Sequence, residues 1–236
     1  MVVPRGAALG IALLISLLVR VRTAYLRAQK KVLERIVAER TAELSEANRR
    51  LFDLATTDTL TGCANRRHLV EHANQAIALA HRSGQPLALL IADLDHFKRI
   101  NDTYGHVGGD KVLCATAQIY ADHVRTSDVL ARIGGEEFAV LMPGTEREGS
   151  QILAERLRHA LAETVVDVEG RDVRVTTSIG LAMLERNENF ESLFARADAA
   201  LYTAKHGGRN KVVIAGNMAT PAIDEGRDRG VLRPTA

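Results

Sequence analysis

The spacing of apolar residues switches repeatedly between helical and extended periods in the central part of the chain. Helical spacing recurs in four segments, and the first of them is followed by Ser83-Gly84, a typical helix stop. The predicted helices are residues 65–81, 110–124, 146–163 and 190–205. Shorter apolar runs predict strands at residues 87–92, 129–133, 138–142, 173–184 and 211–214.

The order of these elements predicts the fold class. Strands and helices alternate, but the strands at 129–133 and 138–142 are separated only by a short turn that begins with two glycines. The two strands of such a hairpin are necessarily antiparallel. We therefore predict an α+β fold, with a central, mainly antiparallel sheet flanked by helices.

An apolar segment lies near the start of the chain. Residues 6–19 are uncharged and mostly apolar, with Arg5 before them and Arg20-Val21-Arg22 after them. As a helix they would rise about 21 Å, and the longer stretch 2–21 would rise about 30 Å, the thickness of a bilayer core. We favour a retained membrane anchor at 1–22 over a cleaved signal peptide, which needs small residues at its cleavage site, and over a buried helix. The basic residues that follow predict an inner-membrane location with the remainder of the chain in the cytoplasm.

Residues 23–56 carry a heptad pattern without Gly or Pro. The seam positions follow one another at alternating steps of four and three: Leu33, Val37, Arg40, Leu44, Ala47, Leu51 and Leu54. Acidic residues are interleaved with basic ones around this seam, as in coiled coils. We predict a long N-terminal helix that forms a parallel two-stranded coiled coil, and hence a homodimer. The alternative is a single amphipathic helix packed on its own domain.

Composition and charge narrow the functional classes. Apolar residues make up 46% of the chain and charged residues 25%, which are values of a globular protein. The net charge is only +2, so nucleic acid is not an expected partner. Cys63 and Cys114 lie far apart without neighbouring ligands, which disfavours a disulfide scaffold and a zinc site. Residues 215–236 are polar and aperiodic and predict a disordered tail.

Two acidic clusters are the candidate chemistry. Asp93 and Asp95 follow the apolar strand at 87–92, and strand alternation puts both on one face. Glu136 and Glu137 follow the two glycines of the hairpin turn, which permit close approach of the backbone to a ligand. Carboxylates on neighbouring strands are suited to Mg²⁺ and a triphosphate. The alternative is that they are solvated turn residues.

These residues belong to a longer pattern that resembles one family. Gly134-Gly135-Glu136-Glu137-Phe138 resembles the signature of the GGDEF diguanylate cyclases in its GGEEF form. Further matching motifs extend from about residue 54 to residue 214: Asp58-Thr59-Leu60-Thr61-Gly62, Asn65-Arg66-Arg67, Asp93-Leu94-Asp95-His96-Phe97-Lys98, Asn101-Asp102, Gly105-His106, Gly109-Asp110, Lys205 and Gly208-Arg209-Asn210. Cys63 departs from the family, which usually has a larger apolar residue there. The resemblance implies a palm-like nucleotidyl cyclase fold.

The resemblance implies a metal site at the acidic clusters. Asp93, the carbonyl of Leu94 and Glu136 would hold Mg²⁺ or Mn²⁺, two ions for each GTP, against the triphosphate. Glu136 or Glu137 would take the proton of the attacking hydroxyl, and the sequence does not assign which of them does so.

The resemblance also implies how GTP is bound. Its phosphates would contact Gly135, the amide of Phe97 and the backbone around Lys98, while Lys205 and Arg209 neutralise the triphosphate. A solvated basic helix end is the alternative for those last two residues.

The guanine base would be read by a different pair of residues. Asn101 and Asp110 would bind its edge, because a carboxylate accepts from the N1–H and N2–H₂ donors of guanine. His106 would lie near the sugar or base, or else would serve helix capping or packing.

The implied reaction joins two GTP into cyclic di-GMP and releases two pyrophosphates at the interface of two domains. The predicted organisation is thus an anchor (1–22), a coiled-coil signalling helix (23–56), a cyclase domain (57–214) and a tail (215–236). An inactive receptor for GTP or cyclic di-GMP would have lost part of the signature, and a cyclase for an adenine-containing product would differ at Asp110.

A product-inhibition site is also implied. Arg125-Thr126-Ser127-Asp128 stands where many family members carry an RxxD inhibitory site, and Arg156 falls where the family supplies another arginine. Guanidinium groups pair with phosphate and bind the Hoogsteen edge of guanine. The alternative is an ordinary exposed pair that caps a helix end.

Overall fold

The computed structural model describes residues 56–216 continuously and single positions between residues 16 and 46. The chain divides into two units, Met1–Ala55 and Thr56–Ala236. In the first unit the described residues are helical and almost all exposed, and they form ion pairs such as Arg35 to Glu39 at 3.1 Å. Of the predicted heptad seam, only Val37 and Arg40 are described, so the coiled coil stays a prediction. The predicted tail, apart from residues 215 and 216, lies outside the described residues.

The expected inner-membrane location is wrong on this structure. In the part of the chain that is described, no helix is both long and apolar enough to cross a membrane. Most of the predicted anchor at 1–22 lies outside the described residues.

The second unit contains eight strands and four helices within the described residues. In chain order they are β1 (Ala64–Asn65), α1 (Arg66–Ser83), β2 (Leu87–Leu94), α2 (Phe97–Ala121), β3 (Val129–Gly134), β4 (Glu137–Pro143), α3 (Arg147–Glu163), β5 (Val166–Val168), β6 (Arg171–Val173), β7 (Thr177–Met183), α4 (Phe190–His206) and β8 (Val212–Ile214). Six strands form one sheet in the order β1-β3-β4-β2-β7-β8, and β5 pairs with β6. The three central pairings are antiparallel and the two outer ones are parallel. The α+β class is confirmed, with a mixed sheet.

Strand β2 lies at the centre of the sheet with both faces buried. Its alternate residues Ala88, Leu90 and Ala92 join the core beneath α2 and α3, whereas Leu89 and Ile91 join the core beneath α1 and α4. This double burial explains why the sequence shows a continuous apolar run there instead of an alternating one. It also fixes the end of β2, where the acidic residues begin.

The helix ends follow local sequence signals. Asn65 caps α1 by accepting a hydrogen bond from the backbone N–H of His68 at 3.0 Å, and Gly84 ends it in the left-handed conformation. Asn189 caps α4 in the same way through the N–H of Ser192. Helix α4 therefore starts at a defined residue, and its last turn carries Lys205 towards the end of β2.

Two predicted elements differ from the structure. The predicted strand at 173–184 is two strands, because Val173 ends a small hairpin with β5 and the main sheet resumes only at Thr177. Helix α2 begins thirteen residues before the predicted start, and it contains a break at Gly105, with φ 70° and ψ 174°. The break interrupts the helical period, so the first part of α2 shows no continuous apolar stripe.

Candidate active site

The two acidic clusters meet at one edge of the sheet. Asp93 at the end of β2 is paired in register with Glu137 at the start of β4. The backbone N–H of Leu94 donates to the carbonyl of Glu136 at 3.4 Å. The structure thus brings together the four residues that the sequence predicts for metal and proton chemistry.

Lys205 reaches the same place from the last turn of α4. Its Nζ lies 2.7 Å from Oδ2 of Asp93, whose side chain is only 8% exposed. Burial raises the pKa of Asp93 from 3.8 to about 6, helped by the charges of Glu136 and Glu137 and opposed by Lys205. One ammonium therefore leaves negative charge in this cluster uncompensated.

The glycine turn is held by a residue that sequence reasoning missed. Arg132 donates from Nε and Nη2 to the carbonyl of Gly135 at 2.9 and 2.8 Å. Gly135 has φ 47°, a left-handed conformation in which glycine is unstrained. The guanidinium therefore fixes the backbone directly before Glu136.

Arg132 is itself held by Asp58, 74 residues away in the sequence. Nη1 lies 3.1 and 3.2 Å from the two carboxylate oxygens. Burial acts to raise the pKa of Asp58, but hydrogen bonds from Thr61 and Arg132 outweigh it and lower the pKa. Only the motif around Asp58 could have pointed to this residue, since nothing in the sequence pairs it with Arg132.

Asp95 is not part of the acidic cluster's open edge. Its carboxylate accepts from the hydroxyls of Thr176 and Ser178, both at 2.7 Å, and from the backbone N–H of Asn210 at 3.0 Å. These bonds tie the end of β2 to β7 and to the loop after α4. Asp95 is therefore a structural acid, as its absence from the implied metal ligands suggests.

The break in α2 sets the predicted base-reading residues side by side. A Cβ on Gly109 would collide with Oδ1 of Asn101, so the second part of the helix packs directly against the first. Asp110 follows Gly109 and is exposed, and Asn101 is half-buried. His106 is exposed in the first turn after the break. An amide and a carboxylate thus share one corner that is open to a ligand.

The predicted phosphate contacts lie at the start of α2 and in the loop after α4. Phe97 is buried and anchors the first turn, while Lys98 is exposed. The N–H groups of a first helical turn bind anions. Arg209 is exposed with φ 59°, next to Asn210, whose N–H is bonded to Asp95. The structure records no contact between Arg209 and the acidic cluster.

The predicted inhibitory residues share a corner at the start of β3, whereas the glycine turn lies at the other end of that strand. Asp128 accepts from the backbone N–H of Arg125 at 3.0 Å and so closes the turn before β3. Arg156 on α3 donates to the carbonyl of His123 at 2.9 Å. Arg125 and Arg156 are exposed.

The acidic cluster suits a divalent cation only in part. Within residues 56–216 and the described positions before them, no group of three acidic, His or Cys side chains converges closely enough to hold a metal alone. Asp93 and Glu136 supply two carboxylates, and Mg²⁺ is commonly held by one or two carboxylates together with substrate phosphates. The residues therefore fit a cation that arrives with a nucleotide.

Comparison with known proteins gives a consistent answer. A family model described as diguanylate cyclase, GGDEF domain, matches residues 55–211. Diguanylate cyclase DgcP of Pseudomonas aeruginosa is 47% identical over 161 residues, which are 68% of this chain and 24% of that protein. Diguanylate cyclase DosC of Escherichia coli is 41% identical over 158 residues, 66% of this chain and 34% of that protein. The chain thus spans about a quarter to a third of the length of these curated relatives.

A solved structure covers more of the chain. The coiled coil and GGDEF domain of DgcB from Caulobacter crescentus, in complex with c-di-GMP, superposes with a TM-score of 0.71 at 34% identity. The match covers 78% of this chain and 99% of that one.

Proposed function

This chain belongs to the GGDEF diguanylate cyclase family, and from that premise we propose that it condenses two GTP into cyclic di-GMP and two pyrophosphates. One observation carries the proposal. Asp93, Glu136 and Glu137 meet at one sheet edge with a single ammonium from Lys205, and the glycine turn between them is held by Arg132. The acids at this edge suit the divalent cations that accompany a triphosphate, and the nearby start of α2 offers backbone N–H groups to its phosphates.

The reaction is a double phosphoryl transfer. The 3′-hydroxyl oxygen of one GTP bonds to the α-phosphorus of the other, the bond from that phosphorus to pyrophosphate breaks, and the hydroxyl proton leaves. Glu136 or Glu137 takes that proton. The same step then closes the ring with the second α-phosphorus, so the atoms of two GTP appear in one cyclic di-GMP and two pyrophosphates.

Residues of this chain hold the nucleotide around the reacting phosphorus. The start of α2, Lys98, Lys205 and Arg209 bind the phosphates, and Gly135 lets the backbone approach them closely. Lys205 releases Asp93 for this purpose when the triphosphate arrives, because its ammonium then has a stronger anionic partner. These contacts orient the α-phosphorus for attack.

Divalent cations complete the charge balance. We assign Asp93, the carbonyl of Leu94 and Glu136 to Mg²⁺ or Mn²⁺, with two ions for each GTP. When bound, the ions neutralise charge that develops on the phosphates and pyrophosphate. Burial raises the pKa of Asp93 to about 6, with a further contribution from the charges of Glu136 and Glu137, and a bound cation would favour its ionised form, which supports this assignment.

Guanine is selected by Asn101 and Asp110. The carboxylate accepts from N1–H and N2–H₂, and the amide beside it both donates and accepts. Adenine has no N2 donor and an unprotonated N1, so it would leave the Asp110 carboxylate unsatisfied. His106 is exposed directly after the break at Gly105, and we assign it to the sugar or base.

The decisive experiment measures the product of the purified chain with GTP and Mg²⁺ by chromatography. We expect cyclic di-GMP and pyrophosphate in a ratio of one to two, and no product from ATP. The matched variants are Glu136→Gln, which should be inactive, and Glu148→Gln, an exposed acid on α3 that should retain activity. GTP binding without turnover by the wild type would instead show a receptor, and no binding would refute the site.

We also propose that turnover requires two copies of the domain, held together by the helix at 23–56. Each domain supplies one GTP, so a linker that joins two domains raises their effective concentration. The similar DgcB structure contains a coiled coil together with its GGDEF domain, which supports this arrangement. Deleting residues 1–53 should lower specific activity at nanomolar protein and steepen its dependence on concentration. Equal activity of the truncated and full chains at that concentration would refute it.

Feedback by the product is proposed at Arg125, Asp128 and Arg156. Two exposed guanidinium groups at one corner suit the phosphates and guanine edges of cyclic di-GMP, bound as an intercalated dimer that bridges to the partner domain. Initial rates of wild type and Arg125→Ala are compared as cyclic di-GMP is added. The wild type should be inhibited at micromolar product and the variant should not. Equal inhibition of both, or none of the wild type, would refute the site.

A further inference from the structure

Both cysteines of the chain, Cys63 and Cys114, line one cavity. The cavity has a volume of about 390 Å³ and lies between the N-terminal turn (residues 58–63), the second part of α2 and the start of β3. Its lining includes Cys63, Cys114 and Asp128. Cys63 and Cys114 are 51 positions apart in sequence, so the fold alone places them together.

The two thiols have different environments. Cys114 is exposed, and its Sγ donates to the carbonyl of Leu60 at 3.3 Å. Cys63 is 9% exposed, and burial raises the pKa of its thiol, with further contributions from Asp58 and from Cys114 itself. A solvent-accessible thiol next to a protected one is the arrangement of a reacting and a resolving cysteine.

The cavity leaves space for the two sulfur atoms to meet. A disulfide requires the two Cβ atoms to approach to about 3.8 Å. Cys63 lies on a turn directly after Gly62, whereas Cys114 is carried by a long helix. Part of the cavity wall is made of the small residues Ala64, Ala117 and Ala121, and the rest includes larger side chains such as Leu130. We expect the turn to shift towards α2 along the part of the wall that these alanines form.

We propose that Cys63 and Cys114 form a reversible disulfide when the protein meets a peroxide. The Cys114 thiolate attacks one peroxide oxygen, the O–O bond breaks, and hydroxide leaves with Cys114 as the sulfenic acid. The Cys63 sulfur then attacks the sulfenic sulfur, the S–O bond breaks and water leaves. Two thiols and one hydrogen peroxide thus give one disulfide and two waters, and a dithiol reductant reverses the bond.

The disulfide acts on the N-terminal turn that it pulls. The carbonyl of Cys63 accepts from the N–H of Asp58 at 2.8 Å, so moving Cys63 moves Asp58. Asp58 holds Arg132, which holds the carbonyl of Gly135. Oxidation therefore loosens the glycine turn from a distance, and activity falls. This inference goes beyond the proposed function, because the bond itself can be detected without any turnover.

The test treats the full chain with hydrogen peroxide, blocks the remaining thiols with an alkylating reagent and maps the peptides by mass spectrometry. The number of free thiols should fall from two to zero, with the Cys63 and Cys114 peptides joined within one chain and released by dithiothreitol. If the proposed activity is present, it should fall with oxidation and return with the reductant.

Single variants separate this bond from other oxidation. In Cys63→Ser, Cys114 should accumulate as the sulfenic or sulfinic acid, and in Cys114→Ser, Cys63 should remain free. The activity of both should be insensitive to a peroxide dose that oxidises the wild type. Joined peptides from two different chains, or as much sulfenic or sulfinic acid at Cys114 in the wild type as in Cys63→Ser, would overturn the proposal.

Discussion

Two carboxylate–cation pairs reach the glycine turn from different regions, and they are built differently. Asp58 and Arg132 join the N-terminal turn to β3 at 3.1 Å, and Asp93 and Lys205 join the end of β2 to α4 at 2.7 Å. In the first pair, hydrogen bonds outweigh burial and the pKa of the carboxyl is lowered. In the second, burial and the neighbouring acids outweigh Lys205, and the pKa of the carboxyl is raised to about 6.

The difference shows which pair is complete. Asp58 has a guanidinium and Thr61 as partners, so its charge is satisfied within the fold. Asp93 is buried with one ammonium partner, and the charges of Glu136 and Glu137 lie nearby, so ionising Asp93 is unfavourable in the folded protein. Because a bound cation would offset the cost of ionising Asp93, this site suits a cation and phosphates. The pair of Asp58 and Arg132 instead supports the glycine turn. Substitutions in the two pairs should separate these two roles.

The largest effect is expected from Glu136→Gln, which removes a negative charge from the acidic cluster around Asp93. Losing one carboxylate ligand from a two-carboxylate site should cost about 4 kcal/mol of transition-state stabilisation, or a roughly 10³-fold loss of turnover. Steady-state rates at saturating Mg²⁺ measure it, and the free energy of unfolding should be almost unchanged. Turnover within tenfold of the wild type would show that Glu136 does not bind the metal.

The second effect is a pH dependence of stability, measured without metal or nucleotide. The pKa of Asp93 is 3.8 in the unfolded chain and about 6 in the folded protein. The folded state therefore binds more protons than the unfolded state at pH values between these two. The stability of wild type relative to Asp93→Asn should therefore fall by about 3 kcal/mol from about pH 3 to about pH 7, with most of the fall between about pH 4 and pH 6. Urea unfolding across this range checks it.

Asp58 provides the opposite control in the same measurement. Its pKa is lowered in the folded state, so its contribution to stability is present above pH 3.8 and is lost as the pH falls through the folded value. Wild type relative to Asp58→Asn should thus become more stable as the pH rises towards 3.8, and it should show no fall at higher pH, where the Asp93 effect appears. Slopes of the same sign for the two variants would contradict the comparison.

The sequence predicted the surroundings of Asp93 well and the pair of Asp58 and Arg132 poorly. Asp93 and Glu137 lie at the ends of strands whose apolar patterns are strong, so their proximity followed from local spacing. Asp58 meets Arg132 because β1 runs parallel to β3, with Asn65 opposite Arg132. Strand β1 has two residues and no periodicity, so no pattern in the sequence could reveal that pairing.

The base-reading corner shows the same limit. The motif residues Asn101 and Asp110 were predicted from resemblance, but their placement depends on the break at Gly105. The φ of 70° at Gly105 changes the direction of the helix, so that Gly109 packs directly against Asn101. Periodicity describes regular elements, and so it does not report a single irregular residue inside one.

The third effect is a loss of stability from Asp58→Asn. The partly buried guanidinium of Arg132 keeps its charge and loses its charged partner, so the free energy of unfolding should fall by about 2 kcal/mol. Glu155→Gln is the matched control, because Glu155 pairs with Arg158 at 2.8 Å but is 42% exposed, and it should cost about 0.5 kcal/mol or less. Equal losses of unfolding free energy in the two variants, measured by urea unfolding at pH 7, would show that Asp58 and Arg132 form an ordinary surface ion pair.

The smallest effect is expected from Arg132→Lys, which keeps the charge of the complete pair and removes its geometry. The guanidinium donates to the Gly135 carbonyl from two nitrogens while a third faces Asp58, and one ammonium cannot serve both in that arrangement. The free energy of unfolding should fall by about 1 kcal/mol. Turnover should fall only a few-fold, because the acidic ligands remain and only the backbone before Glu136 is freer.

Urea unfolding and kcat/KM for GTP are measured for Arg132→Lys, Asp58→Asn and the double variant. If the two residues act as one support, the losses are less than additive. Additive losses, or a lysine variant as stable and active as the wild type, would mean that the glycine turn holds its shape without this clamp.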